Sequence, residues 1–177
     1  KACKRCELWK TRTNPVAGEG SLSAKIVFVG EAPGYYEDLK GEPFVGKAGK
    51  VLDDLLASVE LQRSDVYIAN VLKCRPPDNR NPATEEIRAC TPHLDAQLEI
   101  IRPEIIATLG NFSLAYIFDK FGLQRDKISK MHGKVFTVST IAGVVKIVPL
   151  YHPAVATYNP NMMETLIDDF KVLVECL

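Results

Sequence analysis

The sequence lacks any long hydrophobic run and any excess of charge of one sign. No apolar stretch approaches the roughly 20 residues that a membrane-spanning helix needs. Its 22 lysines and arginines balance 22 aspartates and glutamates, so net charge gives no support to nucleic-acid binding, and any basic surface must be local. No signal peptide, internal repeat or low-complexity segment is visible. We therefore expect a cytoplasmic protein with no membrane contact.

Cysteine is present, but its number argues against a fold built on disulfides. Five cysteines cannot all pair, and without a secretion signal a reducing cytosol is the expected compartment. The 177 residues are 46% apolar and 25% charged, which is typical of a globular protein with one core. We predict a single domain over residues 1–177, in which residues 1–23 form a cysteine-containing arm.

Predicted strands and helices alternate along the rest of the chain. Short apolar runs rich in β-branched residues predict strands at 25–30, 66–72, 104–109 and 144–150, and a shorter one at 135–138. Apolar residues at helical spacing predict helices at 51–59, 84–101, 112–120 and after Asn161. This order is typical of an α/β fold with a parallel sheet that helices cover on both faces.

Polar side chains lie at the ends of three predicted strands. Glu31 directly follows the first strand, Asn70 lies inside the second, and His152 follows the fourth. Parallel strands place their carboxyl ends on one edge of the sheet, where open α/β folds bind ligands. We therefore expect these three side chains to meet in one crevice. The ordinary alternatives are a solvated acidic loop, a strand-capping asparagine and a turn histidine bonded to the backbone.

The cysteines are candidates for a metal site. Cys3 and Cys6 form a C-x-x-C pair, and Cys74 and Cys90 stand sixteen residues apart. Four cysteines can bind zinc or an iron–sulfur cluster, and spacing alone leaves both open, although the second pair fits a zinc ribbon poorly. Cys90 also suits the apolar face of its helix. We interpret Cys176 as a packing residue or a free thiol.

Several motifs, in order along nearly the whole chain, resemble those of a family 4 uracil-DNA glycosylase. They are GEAPG at 30–34 with Glu37-Asp38, PFVG at 43–46, NVLKCRPP at 70–77 with Asn79-Arg80, and HPA at 152–154. The resemblance implies a three-layer α/β/α sandwich with a central four-stranded parallel sheet. It also implies a [4Fe-4S] cluster, joined by the arm, on Cys3, Cys6, Cys74 and Cys90.

Such a glycosylase hydrolyses the bond between uracil and deoxyribose in single- and double-stranded DNA, after the base is flipped into a pocket. The resemblance implies that Asn70 pairs with the uracil edge. It implies that His152 stabilises charge on O2 and that Glu31 stabilises the sugar cation and positions water. It places Glu37 where a thymine methyl would lie and Phe44 against the base. The other implied substrate contacts are Gly30, Ala32, Pro33, Gly34 and Asn79.

DNA binding needs cations and, for base flipping, an apolar wedge. We expect phosphate contacts from three basic residues near the second strand, namely Lys73, Arg75 and Arg80. The resemblance implies that the segment after the HPA motif inserts into the duplex, with Val155, Ala156 and Tyr158 as the wedge. We expect a monomer, and the sequence identifies no sliding-clamp contact.

Tyr35 and Tyr36 depart from the family pattern, because close relatives often carry acids at these positions. Any role that needs a charge there is therefore not expected, whereas Glu31 and Glu37 are in place. Two competing interpretations exist: a non-catalytic iron–sulfur DNA-binding module of the same fold, and a zinc-containing nucleotide-binding domain. The intact catalytic candidates argue against the first, and the lack of a glycine-rich phosphate fingerprint argues against the second.

Overall fold

The computed structural model describes residues 2–177 and is built on one mixed β-sheet. Within these residues the sheet has six strands: β1 (Glu19–Gly20), β2 (Ile26–Gly30), β3 (Tyr67–Asn70), β4 (Ile105–Leu109), β5 (Phe136–Thr140) and β6 (Gly143–Leu150). Their order is β1-β3-β2-β4-β6-β5, with the four inner strands parallel and the edge strands antiparallel to their neighbours. The predicted α/β fold with four parallel strands is confirmed, and two antiparallel edges widen the sheet.

The α-helices of the described residues are α1 (Tyr35–Lys40), α2 (Lys47–Ser58), α3 (Thr84–Ile101), α4 (Asn111–Lys120), α5 (Ile128–Met131), α6 (Ala154–Tyr158) and α7 (Met162–Glu175). The four longest match the predicted helices. The other three have four to six residues, too few to show a helical period in the sequence. None of the helices in residues 2–177 has both the length and the apolarity to cross a bilayer.

The two faces of the sheet have separate hydrophobic cores, because side chains alternate along each buried strand. On β2, Val27 and Val29 face one core, whereas Ile26 and Phe28 face the other. The leucine-rich stripes of α3 and α4 close the first core, and those of α2 and α7 close the second. Helices therefore cover both faces, which gives the predicted three-layer arrangement.

The register of the parallel strands brings their carboxyl ends to one edge of the sheet. Gly30 at the end of β2 pairs with Asn70 at the end of β3, and Leu109 on β4 pairs with Leu150 on β6. The residues that follow these strands therefore emerge on the same edge. Polar groups far apart in sequence are brought together there.

The cysteine-containing arm is fastened to the body of the protein in several places. β1 pairs with β3, and the Val16 amide donates to the carbonyl oxygen of Lys73 at 2.7 Å. The amides of Thr13 and Asn14 donate to the buried carboxylate of Asp38 at 2.9 and 3.3 Å. The arm is consequently held beside the segment that follows β3.

Candidate active site

A cavity of about 500 Å³, here called the strand-end cavity, opens at the carboxyl edge of the sheet. Its size is that of a small-molecule site. Nine residues that the sequence assigns to the site line it: Glu31, Ala32, Pro33, Gly34, Glu37, Phe44, Asn70, Asn79 and His152. Ala48, Pro76, Arg80, Ala154 and Tyr158 also line it. Pro76 and Ala154 fall within the motifs quoted above, whereas Ala48 lies outside them and nothing in its sequence context predicts this position.

Gly30 lies behind the wall of this cavity rather than on it. A Cβ atom on Gly30 would lie 2.3 Å from Oδ1 of Asn70 and 2.8 Å from Cζ of Phe44. A residue with any side chain would therefore displace both neighbours. The contribution of Gly30 to the site is the space that it leaves for them.

Asn70 presents an unpaired carboxamide to the strand-end cavity. The residue is 3% exposed, and among residues 2–177 its side chain has no hydrogen-bond partner. It does not cap the strand, which was the ordinary alternative. The carboxamide atoms are open to the cavity, because Oγ1 of Thr108 is the only fully buried side-chain polar atom without a partner in the described residues. The carboxamide is therefore available to a ligand that offers both a donor and an acceptor.

Phe44 forms an apolar wall beside His152. The two rings lie nearly parallel, with 26° between their planes and 5.6 Å between their centroids. The backbone of Phe44 has a φ of 53°, which is unfavourable for a bulky residue. Arg63 holds this conformation by donating to the carbonyl oxygens of Pro43 and Phe44, and Gly49 permits a close approach of the backbone from the other side. The ring is therefore oriented by contacts outside the cavity.

His152 is a neutral hydrogen-bond donor. Its Nδ1 accepts a hydrogen bond from the Ala154 amide at 3.1 Å, so the ring proton lies on Nε2. Burial lowers the pKa of His152 to about 4, and the negative charge of Glu37 offsets part of this effect. The imidazole is therefore uncharged at neutral pH.

Glu31 and Glu37 line the same cavity, but their carboxylates differ in hydrogen bonding. The Glu31 carboxylate has no hydrogen-bond partner in the described part of the chain, and burial raises its pKa. The Glu37 carboxylate accepts hydrogen bonds from the amides of Gly34, Val45 and Gly46, at 3.1, 2.9 and 2.9 Å. Glu31 can therefore act on a ligand, whereas Glu37 is a fixed part of the wall.

Lys73 is buried and not at the surface. It is 6% exposed, and its ammonium donates to the carbonyl oxygen of Asn70 at 2.9 Å and to Oε1 of Gln97 at 2.7 Å. Burial lowers the pKa of Lys73 to about 8. The prediction that Lys73 contacts phosphate is wrong, because a buried ammonium with two partners cannot reach DNA. Its position supports Asn70 from behind.

Arg75 and Arg80 remain near the surface beside the strand-end cavity. The Nε of Arg75 donates to Oδ1 of Asn79 at 2.7 Å, and its guanidinium carbon lies 5.2 Å from the centroid of the Tyr35 ring. Arg80 lines the cavity and pairs with Glu86 through both amino groups, at 2.6 and 2.9 Å. Arg80 therefore lies on the cavity wall itself, and Arg75 contacts Asn79, which also lines the cavity.

The segment after His152 is a short helix, α6, and not a loop. Val155 and Ala156 on this helix are half-buried and pack against the core below. Part of each of these two side chains is used in packing, and a wedge that includes them stays a prediction. Tyr158 is 88% exposed and lines the strand-end cavity, so it is the one member of the expected wedge that projects outward.

Four cysteines line a second cavity of about 320 Å³, here called the cysteine cavity: Cys3, Cys6, Cys74 and Cys90. Burial raises the pKa of the Cys90 thiol to about 11 and also raises that of Cys74. The Lys73 amide donates to the Cys90 sulfur at 3.2 Å, and the Arg12 guanidinium donates to the Cys74 sulfur at 3.0 Å. Nothing in the sequence predicts the contact of Arg12.

The cysteine cavity has the four thiols that an iron–sulfur cluster uses as ligands. N–H groups donate to the sulfurs of two of them, Cys74 and Cys90, and hydrogen bonds to sulfur are usual around such clusters. Cys176 lies elsewhere, at the end of α7, and packs against the core.

Comparison with known proteins gives one consistent family. Residues 17–173 match the family model described as the uracil DNA glycosylase superfamily. A type-4 uracil-DNA glycosylase of Archaeoglobus fulgidus is 52% identical over 98% of this chain and 87% of its own length. The type-4 uracil-DNA glycosylase of Sulfurisphaera tokodaii is 50% identical over 98% of this chain and 80% of its own length. A type-5 uracil-DNA glycosylase of Pyrobaculum aerophilum is 31% identical over 94% of this chain and 78% of its own length.

Proposed function

Because the chain belongs to the uracil-DNA glycosylase superfamily, it excises uracil from DNA, and we propose that it does so in the strand-end cavity. It is a DNA-repair hydrolase that breaks the N-glycosidic bond and leaves free uracil and an abasic site. We propose that it accepts single- and double-stranded DNA and that the base enters by flipping. The observation that carries the assignment of the cavity is the buried, unpaired carboxamide of Asn70 beside Phe44 and His152.

Base recognition follows from the hydrogen-bond pattern of uracil. Oδ1 of Asn70 accepts the N3–H of uracil, and Nδ2 donates to O4. Cytosine presents an amino group and an unprotonated N3 at these positions. Its donor would therefore face the amide donor of Asn70, and its acceptor would face the amide oxygen. Phe44 stacks on the ring. Glu37, which three backbone amides hold in place, stands near C5 and obstructs the methyl group of thymine.

Bond cleavage needs stabilisation of opposite charges on the two fragments. As the N1–C1′ bond breaks, its electron pair leaves with uracil, and the Nε2–H of His152 donates to O2, where negative charge develops. The carboxylate of Glu31 stabilises the positive charge at C1′ and orients the attacking water. The water oxygen bonds to C1′, and its proton is released to the departing base or to solvent. A neutral His152 suits this step, because it donates without having to lose a proton.

We further propose that Cys3, Cys6, Cys74 and Cys90 hold a [4Fe-4S] cluster. The cluster supplies a cross-link between the arm and the segment after β3, and the residues of the strand-end cavity carry out the chemistry. Iron and sulfide analysis, with the brown absorption at about 400 nm, tests this assignment. A colourless protein that contains zinc would overturn it.

The assay for the proposed function is release of free uracil from a labelled oligonucleotide, single-stranded and in duplex, without added cofactor. We expect Asn70→Ala and His152→Ala each to lower the single-turnover rate by about 100-fold or more. Asn161→Ala, at the start of α7, is the matched control and should keep the parent rate. Full activity in both cavity variants would exclude the assigned site. DNA binding without any release by the parent would indicate the non-catalytic module.

We propose that the protein acts as a monomer. We also propose that it works in the cytoplasm, where it meets its DNA substrate. Gel filtration at the concentration used in the excision assay tests the first of these proposals.

A further inference from the structure

Two exposed tyrosines stand beside the strand-end cavity and have no part in the reaction described above. Tyr35 is 51% exposed and Tyr36 60% exposed, and they directly follow Gly34, which lines the cavity. Their rings meet edge to face, with 5.3 Å between centroids. Aromatic rings with this much exposure bury no core surface, so packing does not explain them.

One cation lies beside the Tyr35 ring, and the two acids of α1 point away from it. The guanidinium carbon of Arg75 lies 5.2 Å from the centroid of the Tyr35 ring. The carboxylates of Glu37 and Asp38 are held by backbone amides of other segments, Glu37 in the cavity wall and Asp38 buried under the arm. The outer face of α1 therefore offers aromatic rings and the exposed Lys40, without a competing exposed carboxylate.

The two tyrosines are also continuous with the cavity wall. A Cβ atom on Gly46 would lie 3.8 Å from Cδ2 of Tyr36, so this ring stands against the loop that carries Phe44. A nucleotide in the cavity would thus have its neighbours on the strand within reach of α1. Proteins bind single strands by combining aromatic rings, on which bases stack, with cations that track the phosphates.

We propose that Tyr35 and Tyr36 form a stacking platform for the bases that flank the extruded uracil, with Arg75 beside it for the intervening phosphate. The proposal rests on the function proposed above and names the substrate contacts just outside the cavity. The platform grips the strand and has no role in breaking the bond. It should therefore affect substrate affinity and leave the chemical step unchanged.

The test is single-turnover uracil release from a single strand of about 15 nucleotides, measured over a range of enzyme concentrations. We expect Tyr35→Ala and Tyr36→Ala each to raise the half-saturating enzyme concentration about 10-fold, with the maximal rate unchanged. Tyr35→Phe and Tyr36→Phe keep the rings and should behave as the parent does. Leu39→Ala removes a 47%-exposed apolar side chain from the same helix without removing a ring, and it should have no effect.

A second substrate distinguishes the loss of base stacking from a general loss of contact area in the alanine variants. In this strand tetrahydrofuran abasic residues replace the nucleotides on both sides of uracil, so the phosphates remain and the flanking bases are missing. The parent should bind it about 10-fold more weakly, whereas the Tyr35→Ala/Tyr36→Ala double variant should show no additional loss. An equal loss in parent and double variant, or parent-like affinity in the single variants, would overturn the platform. A parent protein that releases no uracil from any strand would refute the proposed function instead.

Discussion

Oδ1 of Asn70 and the position that a Cβ atom would take on Gly30 lie only 2.3 Å apart. A methyl group at residue 30 must therefore push the carboxamide out of place, and Phe44 with it. We expect Gly30→Ala to lower the rate of uracil release at least about 10-fold, because the edge of the base loses its partners. Single-turnover excision measures the effect.

The matched control for this change is Gly46→Ala, at a glycine whose amide donates to Glu37 in the wall of the same site. A Cβ atom on Gly46 would lie 3.5 Å from Oε1 of Glu37, an ordinary contact, and the backbone there is extended. This variant should keep most of the parent activity. If Gly30→Ala were as active as Gly46→Ala, the placement of Asn70 would not depend on the space left by residue 30.

The loss of uracil-excision activity at acidic pH should follow the protonation of Glu31. Burial raises the pKa of Glu31, and the ionised form is the one that the proposed reaction uses. Activity is therefore complete above this raised pKa and declines as the pH falls through it. His152 has a pKa of about 4 and stays neutral over most of this range, so it does not set the decline.

Glu31→Gln removes the titrating group. We expect its rate at neutral pH to be about 100-fold below that of the parent and to show little dependence between about pH 5 and pH 8. Glu42→Gln changes an exposed carboxyl and should keep both the parent rate and the parent profile. An unchanged acid decline in Glu31→Gln would assign that decline to another group.

A half-buried, neutral histidine also makes folding depend on pH. The pKa of His152 is about 4 in the folded protein and about 6.5 in the unfolded chain. Because the folded value is the lower one, the stability linked to His152 is complete above about pH 6.5 and is lost as the pH falls toward about 4. From pH 7.5 to pH 5 this loss is about 2 kcal/mol.

Urea unfolding of the parent and of His152→Gln at these two pH values isolates this effect, since glutamine does not titrate. The parent should lose more stability than the variant on acidification. Burial raises the pKa of Glu31, which acts in the opposite direction, but both proteins retain this residue. Equal losses would mean that His152 is accessible to protons in the folded state.

Asp38 should control how firmly the proposed [4Fe-4S] cluster is held. Its buried carboxylate accepts hydrogen bonds from the amides of Thr13 and Asn14, which lie in the arm that carries Cys3 and Cys6. Asp38→Ala leaves these amides unpaired and should cost about 2–3 kcal/mol. We expect faster loss of iron to a chelator, followed as the decay of the absorbance at about 400 nm.

The control for this change is Asp54→Ala, which removes an exposed carboxylate from α2. It should release iron at the parent rate. Uracil release per iron-containing molecule should be the same in all three proteins, because Asp38 does not face the strand-end cavity. Identical iron loss in Asp38→Ala and the parent would show that the arm is held by other contacts.

The main elements of the fold are predictable from the sequence because burial leaves recognisable apolar patterns. β2 is a short continuous apolar run, IVFV, and the leucines of α2 recur at helical spacing. β1 has only two residues, both exposed, and α1 has six, so neither leaves a pattern. Such short pieces form because their neighbours provide backbone partners, and those neighbours are distant in sequence.

The candidate site is predictable to a similar degree. The meeting of Asn70 and His152 follows from parallel strands alone. The burial of Lys73 could not be foreseen, because a long flexible side chain reaches either solvent or the interior, and its partner Gln97 lies on another element. The role of Arg63 behind Phe44 is equally hidden, since it depends on a loop twenty residues away along the chain.

Lys73 contacts one residue of each cavity: its ammonium donates to the carbonyl oxygen of Asn70, and its backbone amide donates to the sulfur of Cys90. The residue proposed to read the base and the cavity proposed to hold iron therefore share one support. Neither can be redesigned or evolve as an independent module. A variant selected for a new base must remain compatible with the geometry around the sulfurs, and a variant selected to survive oxidants must remain able to read uracil.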